Sequence, residues 1–104
     1  MRLAYTGERI RLAQIADDQA VIEDATFTDC DLVGPAVVML DDTTVSESTW
    51  GGTADSIFWP VPEGREVMGS LRLYQCVFRR CTFRNIGIVA VPDDIAQMRT
   101  EIGV

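Results

Sequence analysis

Apolar side chains recur every five residues along two stretches of this chain, and this period limits the possible fold more than any other feature. In the first stretch, residues 10–42, each repeat offers a small or apolar residue and, two places later, a second position that is apolar in most repeats. The first positions are Ile10, Ile15, Ala20, Ala25, Cys30, Pro35 and Leu40. The second positions are Leu12, Asp17, Ile22, Phe27, Leu32, Val37 and Asp42. The residues between them are mostly polar.

The pattern returns between residues 70 and 91. Its first positions are Leu71, Cys76, Cys81, Ile86 and Val91, and its second positions are Leu73, Phe78, Phe83 and Ile88. A period of five matches neither an amphipathic helix, near 3.6, nor a single strand, near 2. It indicates a chain that turns a corner every five residues, points two side chains inward from each short extended side, and stacks its turns along an axis.

The repeat unit resembles that of the pentapeptide-repeat family: a small residue, a polar residue, Leu or Phe, and two polar residues. The best matches begin at Ala25, Cys30, Cys76 and Cys81. The resemblance implies a right-handed, four-sided β-helix with about twenty residues per coil. We therefore expect an all-β fold, a right-handed parallel β-helix (a pentapeptide-like β-solenoid) of few coils with a short C-terminal capping helix. A less regular right-handed β-helix, with pentads on some turns only, is the alternative.

At 104 residues the chain is predicted to form a single domain, 1–104. Within it, 10–42 is the first repeat run, 43–68 an irregular coil with a loop insertion, and 70–91 the second run. Pro92 and the acids that follow it signal a helix start, and Ile95, Met98 and Ile102 share one helical face. These signals predict a capping helix over 93–102.

Charge and composition exclude several functions. The net charge is −7, and the chain has no His and no Lys, so bulk attraction to nucleic acid is not expected. The missing His removes the commonest metal ligand and general base, so we expect no catalytic residue, no metal and no cofactor. No apolar stretch is long enough for a membrane span, and the N-terminus lacks the apolar region of a signal peptide. We therefore expect no membrane contact and a cytoplasmic location.

The charges are unevenly distributed along the chain. Residues 1–52 hold ten acids and three Arg, whereas 67–92 contain four Arg and no acid. These four are Arg72, Arg79, Arg80 and Arg84. They could pair with acids of a neighbouring coil, with the acidic half of a second copy, or with a foreign anionic ligand.

Three aromatic residues, Trp50, Phe58 and Trp59, lie in the segment that interrupts the repeat. Aromatic side chains and Arg are enriched at protein interfaces, so these residues and the four Arg form the candidate interface. The aromatic side chains could equally pack against the side of the fold beneath the loop. By contrast, Cys30, Cys76 and Cys81 occupy the small inward position, where buried thiols act as small hydrophobes.

Two functions are compatible with these features. The first is a non-catalytic structural or protein-interaction module, not an enzyme, that associates with itself or with another protein. The alternative, suggested by the family resemblance and the acidic charge, is a DNA-mimicking regulator of a nucleic-acid enzyme such as a topoisomerase.

Overall fold

Eleven strands and three helices make up the described part of the chain, residues 3–65 and 67–102, in a computed structural model. The strands are β1 (Ala4–Thr6), β2 (Arg9–Arg11), β3 (Val21–Glu23), β4 (Thr26–Thr28), β5 (Asp31–Asp41), β6 (Thr44–Ser46), β7 (Thr49–Trp50), β8 (Phe58–Pro60), β9 (Leu71–Tyr74), β10 (Val77–Arg79) and β11 (Thr82–Ala90). The helices are α1 (Leu12–Ile15), α2 (Ala54–Ile57) and α3 (Pro92–Ile102).

The strands form two sheets whose pairings are parallel throughout the described residues. Sheet A has the order β1-β4-β10-β6. Sheet B has seven strands, with β3-β9-β5-β11-β7 as its main path, β2 beside β5, and β8 beside β11. The strands of these sheets therefore follow an order different from that of the sequence.

The last three strands, β9–β11, lie between strands that precede them in the chain, and we call them the inserted strands. β10 pairs with β4 on one side and with β6 on the other. β11 lies between β5 and both β7 and β8, and β9 lies between β3 and the end of β5. The C-terminal repeat run is thus the centre of the molecule and not one of its ends.

The expected all-β right-handed parallel β-helix is wrong. A solenoid stacks successive coils in chain order, whereas here the last repeat run is inserted between earlier strands, and three helices accompany the sheets. The fold is a mixed, parallel α/β arrangement with two sheets. The five-residue period misleads because it specifies which side chains point inward but not which strand lies beside which.

The register of the sheets aligns the large inward side chains in columns. Phe27 and Phe78 stack with ring centroids 4.6 Å apart, and Tyr5 stacks on the other face of Phe27 at 4.9 Å. The four columns are Tyr5–Phe27–Phe78–Val45, Ile10–Leu32–Phe83–Trp50, Ile22–Leu73–Leu40 and Val38–Ile88–Phe58. Because the inserted strands supply an inner member of each column, they contact core residues on both sides.

The repeat changes phase within β5, a shift that the sequence pattern alone does not reveal. Leu40, Val45 and Trp50 take the large inward position, continuing a five-residue series through the segment that was predicted to be irregular. Asp42, assigned to the inward position, is exposed and occupies a left-handed corner with φ of 50°. The eleven-residue length of β5 accounts for the shift, since an uninterrupted strand skips the corner that a strict repeat requires.

The predicted C-terminal helix is present as α3. It begins at Pro92 with Asp93 and Asp94 in its first turn, where the helix dipole favours acids. Ile95, Met98 and Ile102 are half-buried and pack against the core.

Replacing Phe78 by Ala should lower the free energy of unfolding by about 3–5 kcal/mol, because the fully buried ring leaves a cavity between two layers. Chemical denaturation followed by circular dichroism measures this loss. Tyr5→Ala, at the outer end of the same column, is the matched control and should cost less. A larger loss for Tyr5→Ala would contradict the central position of β10.

Candidate interaction surface

The outer face of the β5–β11–β8 part of sheet B is apolar. Val38, Ile88 and Phe58 point inward and are buried, so the alternate residues on these strands point outward. These outward residues are Val37, Met39, Gly87, Val89 and Trp59. Other outer positions in the two sheets carry side chains such as Thr26, Glu23 and Arg79.

A parallel sheet normally has both faces covered, which makes an apolar outer face unusual. Among its outward residues Trp59 is exposed, Val37, Met39 and Gly87 are half-buried, and Val89 is buried. Exposed apolar side chains that adjoin an apolar face commonly mark a site of interaction. This face is therefore the candidate binding surface.

A groove of about 390 Å³ lies on this face, and we call it the Trp59 groove. Its walls include Val37, Ile57, Trp59, Gly51 and Gly87. None of the described residues that line it carries a charge. In a chain with net charge −7, such a surface can meet another protein without burying an unpaired charge.

Trp59 forms the raised edge of the groove and is 53% exposed. Its indole lies against Gly87: a Cβ built on that glycine would be 3.1 Å from the indole nitrogen. Glycine at position 87 therefore lets the large ring lie close to the strand. The ring sits on β8, which pairs with β11 alone among the described strands.

The other two aromatics of the candidate interface, Trp50 and Phe58, belong to the core. Trp50 is 4% exposed, stacks on Phe83 with centroids 3.8 Å apart, and donates its indole N–H to the carbonyl oxygen of Ile86 at 2.7 Å. Phe58 is buried in the column with Ile88. Of the three aromatics, only Trp59 is available to a partner.

Trp50→Ala should therefore destabilise the fold by about 3–5 kcal/mol instead of acting mainly on association. Trp50→Phe keeps a ring against Phe83 but leaves the buried carbonyl of Ile86 without its donor, so we expect a smaller loss of about 1–3 kcal/mol. Denaturation curves of both variants provide the comparison. Native stability of Trp50→Ala would contradict the assignment of this residue to the core.

Three of the four candidate Arg residues form ion pairs within the chain. Arg80 Nε lies 2.8 Å from Asp29 Oδ1, Arg84 Nε 3.1 Å from Asp31 Oδ1, and Arg72 donates from Nε to Asp41 at 3.0 Å. The Arg residues come from the inserted strands and the corner between β10 and β11, and the acids from the strands and corners beside them. This arrangement explains why an acid-free stretch follows an acidic one in the sequence.

The same pairs interrupt the acidic surface. Asp29, Asp31 and Asp41 each have a cation beside them, whereas DNA mimicry needs a continuous acidic face. The alternative function as a DNA mimic stays a prediction that these pairs do not favour. Arg79 differs from the other three, since it forms no ion pair with any described residue.

The hydrogen bond from Arg80 lowers the pKa of Asp29 below its ordinary value of 3.8. Because the pKa of this carboxyl is lower in the folded chain than in the unfolded chain, its ionisation stabilises the fold at a pH above the unfolded-state pKa. This contribution is lost as the pH falls through the folded-state pKa. Arg80→Gln should raise the pKa of Asp29 toward 3.8 and reduce this part of the acid dependence. Both groups are exposed, so the effect on stability will be small.

Carboxyl NMR titration measures this pKa directly. Arg79→Gln, which removes the neighbouring cation that forms no ion pair with a described residue, is the control and should leave the pKa of Asp29 unchanged. An equal shift in both variants would show that net charge, and not the ion pair, governs Asp29.

The three cysteines are buried free thiols. Cys76 and Cys81 donate from Sγ to the carbonyl oxygens of Ile22 and Phe27, at 3.3 and 3.4 Å. Burial raises the pKa of both thiols, which makes them poor nucleophiles at neutral pH.

Within residues 3–65 and 67–102, no group of three or more Cys, Asp and Glu residues is placed to hold a metal ion. Across the same described residues, no helix has the length and apolar character needed to cross a membrane.

Comparison with known proteins finds no matching family model, no matching curated protein and no matching solved structure. The resemblance to pentapeptide repeats therefore rests on the quoted sequence units alone.

The sequence predicts Trp59 as an interface residue, and this stays a prediction; the apolar surface around Trp59 was not predicted. The sequence does indicate such a surface, because residues 35–40 and 86–91 are almost continuously apolar. A strand with one solvent-exposed face instead alternates apolar and polar residues. Such runs indicate strands that are covered on both faces.

Proposed function

We propose that this chain is a non-catalytic interaction module, located in the cytoplasm, that self-associates through the Trp59 groove. The observation that carries the proposal is the exposed Trp59 beside an uncharged groove on an apolar sheet face. Trp is enriched among the residues that contribute most to binding at interfaces.

A second copy is the occupant that the shape of this surface favours. A two-fold symmetric interface uses the same patch on both partners, so the patch must complement itself. Trp59 supplies an exposed ring, and the groove beside it is lined by Val37, Gly51 and Ile57. Two copies facing each other can therefore each place Trp59 toward the other's groove.

Charge supports the same choice. Two copies of a chain with net charge −7 repel each other, and the repulsion is smallest where they meet through uncharged faces. The Trp59 groove is such a face, whereas the corners with Asp29 and Asp42 are not. Contact through the groove keeps these acids at the periphery, in water.

Trp59→Ser should weaken self-association at least about 30-fold, the effect of losing one central aromatic contact of about 2 kcal/mol. Sedimentation equilibrium or light scattering across a concentration series measures the dissociation constant. Met68→Ser, which removes another exposed apolar side chain that does not line the groove, is the matched control and should leave association unchanged.

A second variant tests the groove independently of the ring. Val37→Asp places a carboxylate in the uncharged groove and should also dissociate the complex. A wild-type chain that stays monomeric up to about 1 mM would refute the proposal. So would an oligomer that both variants leave intact.

A further inference from the structure

A second cavity, of about 530 Å³, lies between the outer face of sheet B, the loop after β8, and α3. We call it the Arg65 cleft. Among the described residues it shares no lining residue with the Trp59 groove, although Met39 and Val89 of the same sheet face line it. Its size is within the range of small-molecule sites, about 300–1,000 Å³.

Apolar side chains from three elements line the cleft. Val61 and Pro62 come from the loop, Val89 and Ala90 from β11, and Met98 from α3. Val89 is only 3% exposed although it points outward, so the loop and the helix already shield the floor of the cleft from water. These walls can accommodate the aliphatic or aromatic part of a ligand.

Four charged residues border the cleft, and three of them are compensated. Asp41 and Arg72 pair with each other across β5 and β9. Asp94 lies in the first turn of α3, where the positive end of the helix dipole offsets its charge. Arg65 has no ion pair with any described residue, which leaves one cation at the rim.

We propose that the Arg65 cleft binds a small amphiphilic anion, an organic acid whose apolar body lies on Val61, Val89 and Met98 and whose head group pairs with Arg65. The guanidinium can donate two parallel hydrogen bonds to a carboxylate or sulfonate, which fixes the head at the rim. The compensated pair of Asp41 and Arg72 adds no net charge that would repel the head.

The probe is 8-anilinonaphthalene-1-sulfonate, which has an aromatic body and one anionic head and becomes fluorescent in apolar surroundings. Wild type should bind one equivalent saturably while its circular dichroism remains native. Arg65→Gln should weaken binding by about tenfold, since it removes a charge-assisted contact. Arg79→Gln, which removes an exposed cation that does not line the cleft, should leave binding unchanged. Equal losses in both variants, retained binding in Arg65→Gln, or no saturable binding in wild type would overturn the proposal.

Two further measurements locate the probe and test its class. Trp59→Ser should leave binding of the probe unchanged, and loss of binding in this variant would place the probe in the Trp59 groove and refute the assignment. Octanoate should displace the probe competitively from wild type. Failure to compete would overturn the assignment of an organic acid with an aliphatic body.

Discussion

The stacking of Phe78 against Phe27 joins the second repeat run to the first, and the rest of the structure depends on this contact. Phe78 belongs to β10, whose edges pair with β4 on one side and β6 on the other. Without β10, β4 and β6 would have no common neighbour in sheet A. The same holds for β11 between β5 and β8. Both sheets therefore depend on the inserted strands, which pair with earlier strands on each side.

Electrostatics agrees with this arrangement and favours it over stacking in chain order. Arg80 lies beside Asp29 and in the field of Glu47, which come from the layers on either side of it. Stacking in chain order would place acidic layers against each other and leave the Arg-bearing strands at one end. Individual exposed pairs contribute little stability, but like charges on adjacent strands are unfavourable, so the alternation helps to specify the order of the strands.

The sequence predicted the inward side chains of the repeats better than the arrangement of the strands. Phe27, Phe78 and Phe83 were placed correctly because a five-residue spacing determines which residues face the core. Asp42 was wrongly assigned to an inward position, and Leu40 takes the second inward position instead of the first, because a long strand such as β5 changes the phase without leaving a gap in the apolar pattern. Strand order could not be predicted, since any parallel neighbour with the same spacing satisfies the period equally well. Trp59 as an interface residue stays a prediction, whereas the apolar face around it could not be predicted, because it depends on which strands lie side by side.

The position of the inserted strands also bears on how the chain reaches its native state during synthesis. Residues 21–60 leave the ribosome before 71–90, yet their sheets lack an internal strand until the later residues arrive. Contacts between distant parts of a chain are slow to form because loop closure must precede them. The emerging chain therefore exposes unpaired strand edges until residues 71–90 have left the ribosome, and a chaperone that shields edges would act mainly in this interval.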